Sequence, residues 1–371
     1  FTLGAMGASL YFSEVDMTLA AGMGSVTVKN TFMASGCTEK LTSVRHCNGV
    51  DFWILAHTNQ STTFLAFLLT SSGVNLVPVT STLGSFHSDA RGHMRASPNG
   101  KRLALGVYGA SVFEVYDFNN TTGVISNQVV LGSNLSSPYG VEFSPDGTKV
   151  FGTREGPSVL YQWDLCAGSN TAIAASMFTM ATTPGIMVFA LQLAVNGKIY
   201  MARYNQNTIG VINNPNVYGS GCNFVDLGQS VSPNTSRLGF PNFMTSAFKP
   251  PPPPYTYSLN CQTAYFTAPA VQNNTLCGAA GYSLQGITWN FGDPGSGSAN
   301  TSTLSNPMHA YAALGTYTVK LIFNYSCGGG TDTVQQVLNV NQPCIVVNSS
   351  SITCASLGSA TVAATGGQGP F

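Results

Sequence analysis

The stretch Gly140–Thr153, GVEFSPDGTKVFGT, decides the fold. Asp146-Gly147 reads as a tight turn, because glycine supplies a positive φ and the preceding Asp or Asn bonds its own local backbone. Lys149–Thr153 then reads as an apolar strand, so the turn joins two antiparallel strands. The same unit recurs at Asn48-Gly49, Asn99-Gly100 and Asn196-Gly197, with the four glycines 51, 47 and 50 residues apart. The apolar runs that follow are Asp51–His57, Arg102–Tyr108 and Lys198–Arg203. A period of about 50 residues holding four strand-like runs predicts a β-propeller with one blade per repeat.

Working outward, residues 1–248 read as the propeller, with blades starting near Leu41, His93, Tyr139 and Phe189. Leu10–Val15 and Ser25–Phe32 look like outer strands of a further blade. Arg237–Phe248 (RLGFPNFMTSAF) looks like an inner strand without its blade. Either this strand pairs with residues 1–36 to give five blades, or earlier blades precede the sequence. Residues 249–254, Lys249 and Pro250–Pro254, form a polyproline spacer of roughly 15 Å. Residues 255–341 alternate as a small β-sandwich, with strands expected at Gly286–Phe291, Gly315–Phe323 and Thr331–Val340. Residues 343–371 begin a third β-unit and read as cut inside it. The expected fold class is all-β throughout.

Only 8% of the 371 residues are charged, against roughly 25% in ordinary domains, and the formal net charge is zero. No Lys/Arg run appears, so nucleic acid and anionic membrane are poor partners. The longest apolar run, Ile186–Ala194, is far too short to span a bilayer as a helix. The uncharged, Ser/Thr/Asn-rich character suits an extracellular protein. Nine cysteines are scattered with no CxxC pair and no zinc spacing, which reads as disulfides formed in an oxidising compartment. Cys37–Cys47, Cys166–Cys222 and Cys344–Cys354 are the preferred pairs, although sequence does not fix connectivity.

No G-x-S-x-G elbow, phosphate loop or dinucleotide fingerprint occurs, and no carboxylate pair stands out. The densest polar cluster is His87-Ser-Asp89-Ala-Arg91-Gly-His93, a set able to bind metal or transfer protons; it reads more simply as a loop leading into the strand His93–Ala96. Asp293 is a weak calcium candidate, one carboxylate being too few for a site. No other cofactor is expected. Trp289, His309 and Tyr311 read as core and corner residues of the sandwich. Eight residues past each turn glycine lie His57, Tyr108, Glu155 and Asn205, with Asn59, Arg154, Arg203 and Tyr204 beside them. Propeller geometry gathers these at one mouth, where stacking faces and hydrogen-bonding groups suit a carbohydrate or a protein loop.

Trp289–Asp293 (WNFGD), Pro307–Tyr311 (PMHAY) and Gly315–Val319 (GTYTV) resemble a PKD domain, an immunoglobulin-like module. Ser351–Cys354, Gly358–Val362 and Ala364–Gly367 resemble the start of an SprB repeat of gliding-motility adhesins. Glu39–His46, Gly140–Lys149, Gly210–Phe224 and Leu238–Phe243 resemble the propeller at the front of such proteins. The combination implies a Bacteroidota surface protein exported by type IX secretion. On that resemblance the chain is expected to be a non-catalytic adhesin or appendage protein, disulfide-bonded and extracellular. The propeller would be its recognition head, on a stalk of β-modules. A structural subunit of an extracellular filament or layer, built by self-association, is one alternative. A secreted polysaccharide- or protein-degrading enzyme with a PKD accessory module is the other.

Overall fold

The computed structural model describes residues 2–3, 9–155, 159–180, 182, 184–244, 254–269, 284–325, 331–341, 344–349 and 360–365. The chain divides into two compact units, one built chiefly on Phe1–Pro250 and the other on Pro251–Asn274 with Tyr282–Phe371. Both are β-structured.

The first unit is a β-propeller of radial antiparallel sheets. A three-stranded sheet (Thr2–Leu3, Leu10–Asp16, Ser25–Ala34) precedes four blades. Blade 1 is Cys37–Arg45, Phe52–Thr58 and Thr63–Thr70, whose third strand pairs both Gly73–Val74 and Val79–Thr82. Blade 2 is Met94–Ala96, Arg102–Val107, Val112–Asn119 and Val124–Gly132. Blade 3 is Pro138–Phe143, Lys149–Arg154, Val159–Asp164 and Phe178–Met180, with a short helix, Asn170–Ala175, before its outer strand. Blade 4 is Val188–Leu193, Ile199–Arg203, Thr208–Ile212 and Phe224–Ser230.

Each blade turns where the sequence predicts. Gly49, Gly100, Gly147 and Gly197 all lie at φ between 66° and 75°. The turn differs from the expected two-residue hairpin. Ser144 N donates to Lys149 O at 3.0 Å, and Ser97 N to Arg102 O at 2.9 Å, so each pair brackets a longer loop. The loop is closed by side chains: Asp146 Oδ1 accepts from Thr148 N and from Ser144 Oγ, as Asn99 Oδ1 does from Lys101 N and Ser97 Oγ. Asn or Asp is therefore needed as an acceptor for the turn.

The blades stack face to face in chain order. Trp53, Leu55 and Phe64 of blade 1 pack on Leu103, Leu105 and Tyr116 of blade 2. Phe113 and Val115 then pack on Phe143, Val150 and Trp163, and Phe151 and Leu160 on Leu191, Met201 and Ile212. The N-terminal sheet lays Leu10 and Met33 on Ile54 and Phe67 of blade 1. Burying both faces of each blade explains why the strands are near-continuous apolar runs.

Two expectations need correction. The segment 237–244 forms no strand, although Leu238 O accepts from Ala190 N of blade 4 at 3.1 Å; residues 245–248 lie outside the described residues, as does most of the polyproline spacer. Cys37, Cys47 and Cys222 are buried thiols outside any disulfide, so neither the Cys37–Cys47 nor the Cys166–Cys222 bridge exists. Cys37 opens the inner strand of blade 1 and Cys47 lies beyond its far end, separated by roughly 30 Å of extended chain, out of disulfide reach. Cys222 instead places Sγ 3.6 Å from Met180 Sδ in the core between blades 3 and 4. The Cys344–Cys354 pairing falls outside the described residues.

The second unit contains a sandwich of two sheets, one from Thr256–Asn260, Thr263–Thr267 and Met308–Ala310, the other from Thr301–Ser302, Leu284–Asn290, Gly315–Tyr325 and Thr331–Val340. Trp289, Phe291, Phe266, Tyr311 and Leu321 form its core. Trp289 Nε1 donates to Leu304 O at 2.9 Å, and Tyr311 Oη to Phe291 O at 3.1 Å, so each buried polar handle is satisfied. His309 stacks on Phe291 and is buried, as read from the sequence. A hairpin, Cys344–Ser349 with Ala360–Thr365, follows.

Candidate functional site

The ends of the second strands meet the loops that lead into the inner strands, and together they make one mouth of the propeller. The contacts repeat around it. Asn59 N donates to Gly36 O (2.6 Å), Glu155 N to Ser137 O (3.0 Å), Tyr204 N to Met187 O (2.9 Å) and Asn205 N to Ser236 O (3.0 Å). The positions singled out by the repeat therefore share one edge of the fold.

Their side chains divide into two groups. His57 and Arg203 are buried rather than presented. His57 stacks on His87, and Arg203 pairs with Asp226 at 3.1 Å and donates to Thr208 Oγ1. Asn59, Tyr108, Arg154, Glu155 and Tyr204 are partly exposed, and Asn205 is exposed, with its Oδ1 taken by Arg237 Nη1. The Arg91 guanidinium lies 3.7 Å over the Tyr108 ring and forks onto Asp89, Nη2 to Oδ2 at 2.6 Å. An aromatic line runs beside it: His93 to Tyr139 at 4.9 Å, Tyr139 to Phe189 at 5.2 Å, Phe189 to Tyr204 at 6.1 Å. The cluster His87–His93 is thus a loop, as expected, whose Arg91 belongs to the mouth.

Sequence reasoning missed the layer beneath. Lys40 is fully buried and donates from Nζ to Arg91 O at 2.7 Å, while Glu39 Oε1 accepts from Gly92 N at 2.6 Å. Burial lowers Lys40 to about 8 against the pull of Glu39, Asp89 and Glu114. Burial raises Glu39 despite the Gly92 bond. Deeper still, Arg95, Glu142 and Gln192 each stand five residues before their turn glycine on an otherwise apolar inner strand. Arg95 Nη1 donates to Asn242 Oδ1 at 2.7 Å and Nη2 to Gln192 Oε1 at 3.4 Å, while its Nε lies 3.6 Å from Glu142 Oε2. Asn242 Nδ2 donates to Leu41 O of blade 1 at 3.0 Å. Burial pushes Glu142 up to about 7, against Arg95 and the Leu193 and Phe143 amides. Polar residues at a fixed offset inside apolar strands were the available signal.

The mouth offers hydrogen-bond donors, acceptors and ring faces above a floor locked by these polar contacts. Among the described residues no three His, Cys, Asp or Glu side chains come together to hold a metal. Asp293, the calcium candidate, places Oδ2 3.0 Å from His309 Nε2, which engages its carboxylate within the sandwich, and its backbone N–H donates to Asn300 Oδ1 at 2.7 Å.

Residues 269–340 match the PKD domain family. Comparison with curated protein sequences gave no match. Among solved structures, a proposed 6-phosphogluconolactonase of Bacteroides uniformis is similar at 15% identity and TM-score 0.44, over 62% of this chain and 66% of that one. This chain therefore spans just under two thirds of that protein. A Lactobacillus plantarum protein shows 14% identity and TM-score 0.43 over 83% and 84% of the two chains. A second proposed 6-phosphogluconolactonase, from Bacteroides fragilis, shows 11% identity and TM-score 0.41 over 92% and 94%.

Proposed function

We propose that this chain is the recognition portion of a non-catalytic extracellular adhesin or appendage protein, its propeller mouth taking a carbohydrate or a protein loop. The observation that carries the reading is Arg91 stacked on the partly exposed Tyr108, with the partly exposed Tyr204 held at the end of an aromatic line through the buried Tyr139 and Phe189: two ring faces beside fixed polar groups. The PKD domain and the low charge support an extracellular setting. In this reading the PKD sandwich and the hairpin after it belong to a stalk. The SprB-like stretch and the propeller resemblance extend the proposal to a type IX-exported surface protein of gliding Bacteroidota. Among the described residues no helix is long and apolar enough to cross a membrane.

The test is binding of the purified chain to a glycan array and to intact bacterial cells. The expected result is saturable binding that Tyr204→Ala and Arg91→Ala abolish. Turnover of a polysaccharide or protein substrate, lost in Glu155→Gln, would establish the enzyme alternative instead.

A second reading, a subunit of an extracellular filament or layer, draws on the half-exposed Val15, Val26 and Phe32 of the N-terminal sheet. Apolar side chains presented together favour contact between copies. Sedimentation velocity decides it: concentration-dependent assembly, reversed by Phe32→Ser, is the outcome this reading requires.

A further inference from the structure

On the flank of the propeller, away from the mouth, a cleft of ≈ 420 Å³ lies where the outer half of blade 2 faces the loop and short helix of blade 3. That volume falls within the range of small-molecule sites. Nothing in the mouth reading accounts for it.

Its blade 2 wall is built around an irregularity. Between Val115 and Asp117 the pairing jumps from Val129 to Ser126, a bulge in the outer strand. Asn127, inside the bulge, holds φ at 54°, a left-handed conformation that costs a non-glycine residue free energy. Bulges of this kind re-aim side chains. Here the effect is that Asn127 Nδ2 donates to Asp117 Oδ2 at 2.7 Å and Gln128 turns its amide onto Glu114 at 2.7 Å. Arg102 completes the polar wall, its Nε 3.6 Å from Asp117 Oδ1 and its side chain only 11% exposed.

The facing wall is different in character. Leu165 and Ile173 of blade 3 are buried aliphatic groups, and exposed Asn170 stands at the rim. The cleft thus has one cation, one anion, amides and an aliphatic side, with no net charge.

This chemistry selects a ligand. An anion would face Asp117, and a cation would face Arg102. A neutral polyol suits both, since the carboxylate accepts from hydroxyls while guanidinium and amides donate to them. The aliphatic side takes a C–H face. We propose that the cleft binds one neutral hexose-sized carbohydrate residue. The site adds to the recognition reading and is separate from the mouth.

The experiment uses the full chain with free glucose, galactose, mannose and N-acetylglucosamine as probes, read by saturation-transfer NMR and titration calorimetry. One of them should saturate with a Kd on the order of 1 mM, as a single sugar without aromatic stacking would. Asp117→Asn, and Asn127→Gly, which keeps the left-handed backbone, should each weaken it about tenfold by removing a hydrogen bond to a charged or fixed partner. Asn170→Ala, an exposed change on the other wall, should weaken it too and serves if Asp117→Asn fails to fold. Tyr204→Ala, which removes any share taken by the mouth, should leave in place the part of the saturation that Asp117→Asn weakens. No saturation by any of the four sugars, or binding undiminished in all three cleft variants, overturns the proposal. Sugar binding lost in Tyr204→Ala alone overturns it while supporting the mouth.

Discussion

The imidazoles of His57 and His87 lie 3.6 Å apart and within 16° of parallel, both buried beneath the mouth. A proton on either ring would be buried and would place a second positive charge near Lys40. Burial pushes His57 down to about 3, and it lowers His87 in the same way, with His57 and Lys40 adding to it. The unfolded chain takes up these protons below about 6.5, whereas the folded chain does not. Stability is therefore full above that value and falls as pH drops toward 3.

His87→Phe keeps a flat ring in the stack and removes one titrating group. The unfolding free energy of this variant between pH 6.5 and 4 should fall less steeply than that of the parent, by about 1.4 kcal/mol per pH unit. Parallel slopes in urea titrations would show that His87 is protonated in the folded state.

Glu142 works in the opposite direction. Its folded pKa is raised from 4.5 to about 7, chiefly by burial, so the folded chain holds a proton that the unfolded chain releases. Stability from this group is present below about 4.5 and is lost as pH rises through 7. Glu142→Gln should flatten the decline between pH 5 and 7. Arg95→Met, by leaving Glu142 buried beside no cation, should cost about 3–5 kcal/mol. An unchanged pH profile in Glu142→Gln would remove Glu142 from the account.

Three thiols among the described residues, Cys37, Cys47 and Cys222, are sheltered. Burial raises Cys37 and Cys222, which disfavours the reactive thiolate. An aromatic disulfide reagent should find Cys37, Cys47 and Cys222 unreactive in the folded chain and all three reactive in denaturant. Peptide mapping of the labelled sites decides it, and rapid labelling of Cys37 in the native protein would contradict the packing.

In the sandwich, Tyr311→Phe removes only the hydroxyl that bonds Phe291 O and should cost about 1 kcal/mol. Asp293→Ala strands the buried His309 ring nitrogen and should cost about 1–3 kcal/mol, equally with and without a calcium chelator. Thermal unfolding of the full chain reads both. Loss of the Asp293 effect in chelator would return that residue to calcium.

Much of the fold was legible because it is written in repeated local chemistry. The four glycines must be left-handed, the residue before each must accept a hydrogen bond, and the strand after each is apolar, so spacing alone located the blades. Thr331–Val340 was placed to the residue because one alternating strand has a clear start and stop. The failures involve partners distant in sequence. Cys37 and Cys47 look adjacent along the chain, yet a straight strand holds them apart. His57 looked like a rim residue by its count from Gly49, but an aromatic neighbour from another loop covers it. Lys40 and Arg95 gave no signal singly, since a lone polar residue in an apolar strand gains its meaning from what faces it across the propeller.

Asn242 also sets an order of events. Its contacts with Leu41 and Arg95 span 201 and 147 residues of chain, so neither forms until almost the whole propeller has left the ribosome. Before then Arg95 has Glu142 and Gln192 beside it but lacks its shortest hydrogen bond. The blades are assembled from neighbours and can associate early, whereas this connection closes last and carries the entropy of a very long loop. A nascent chain halted before residue 242 would hold most of its core and none of its final lock.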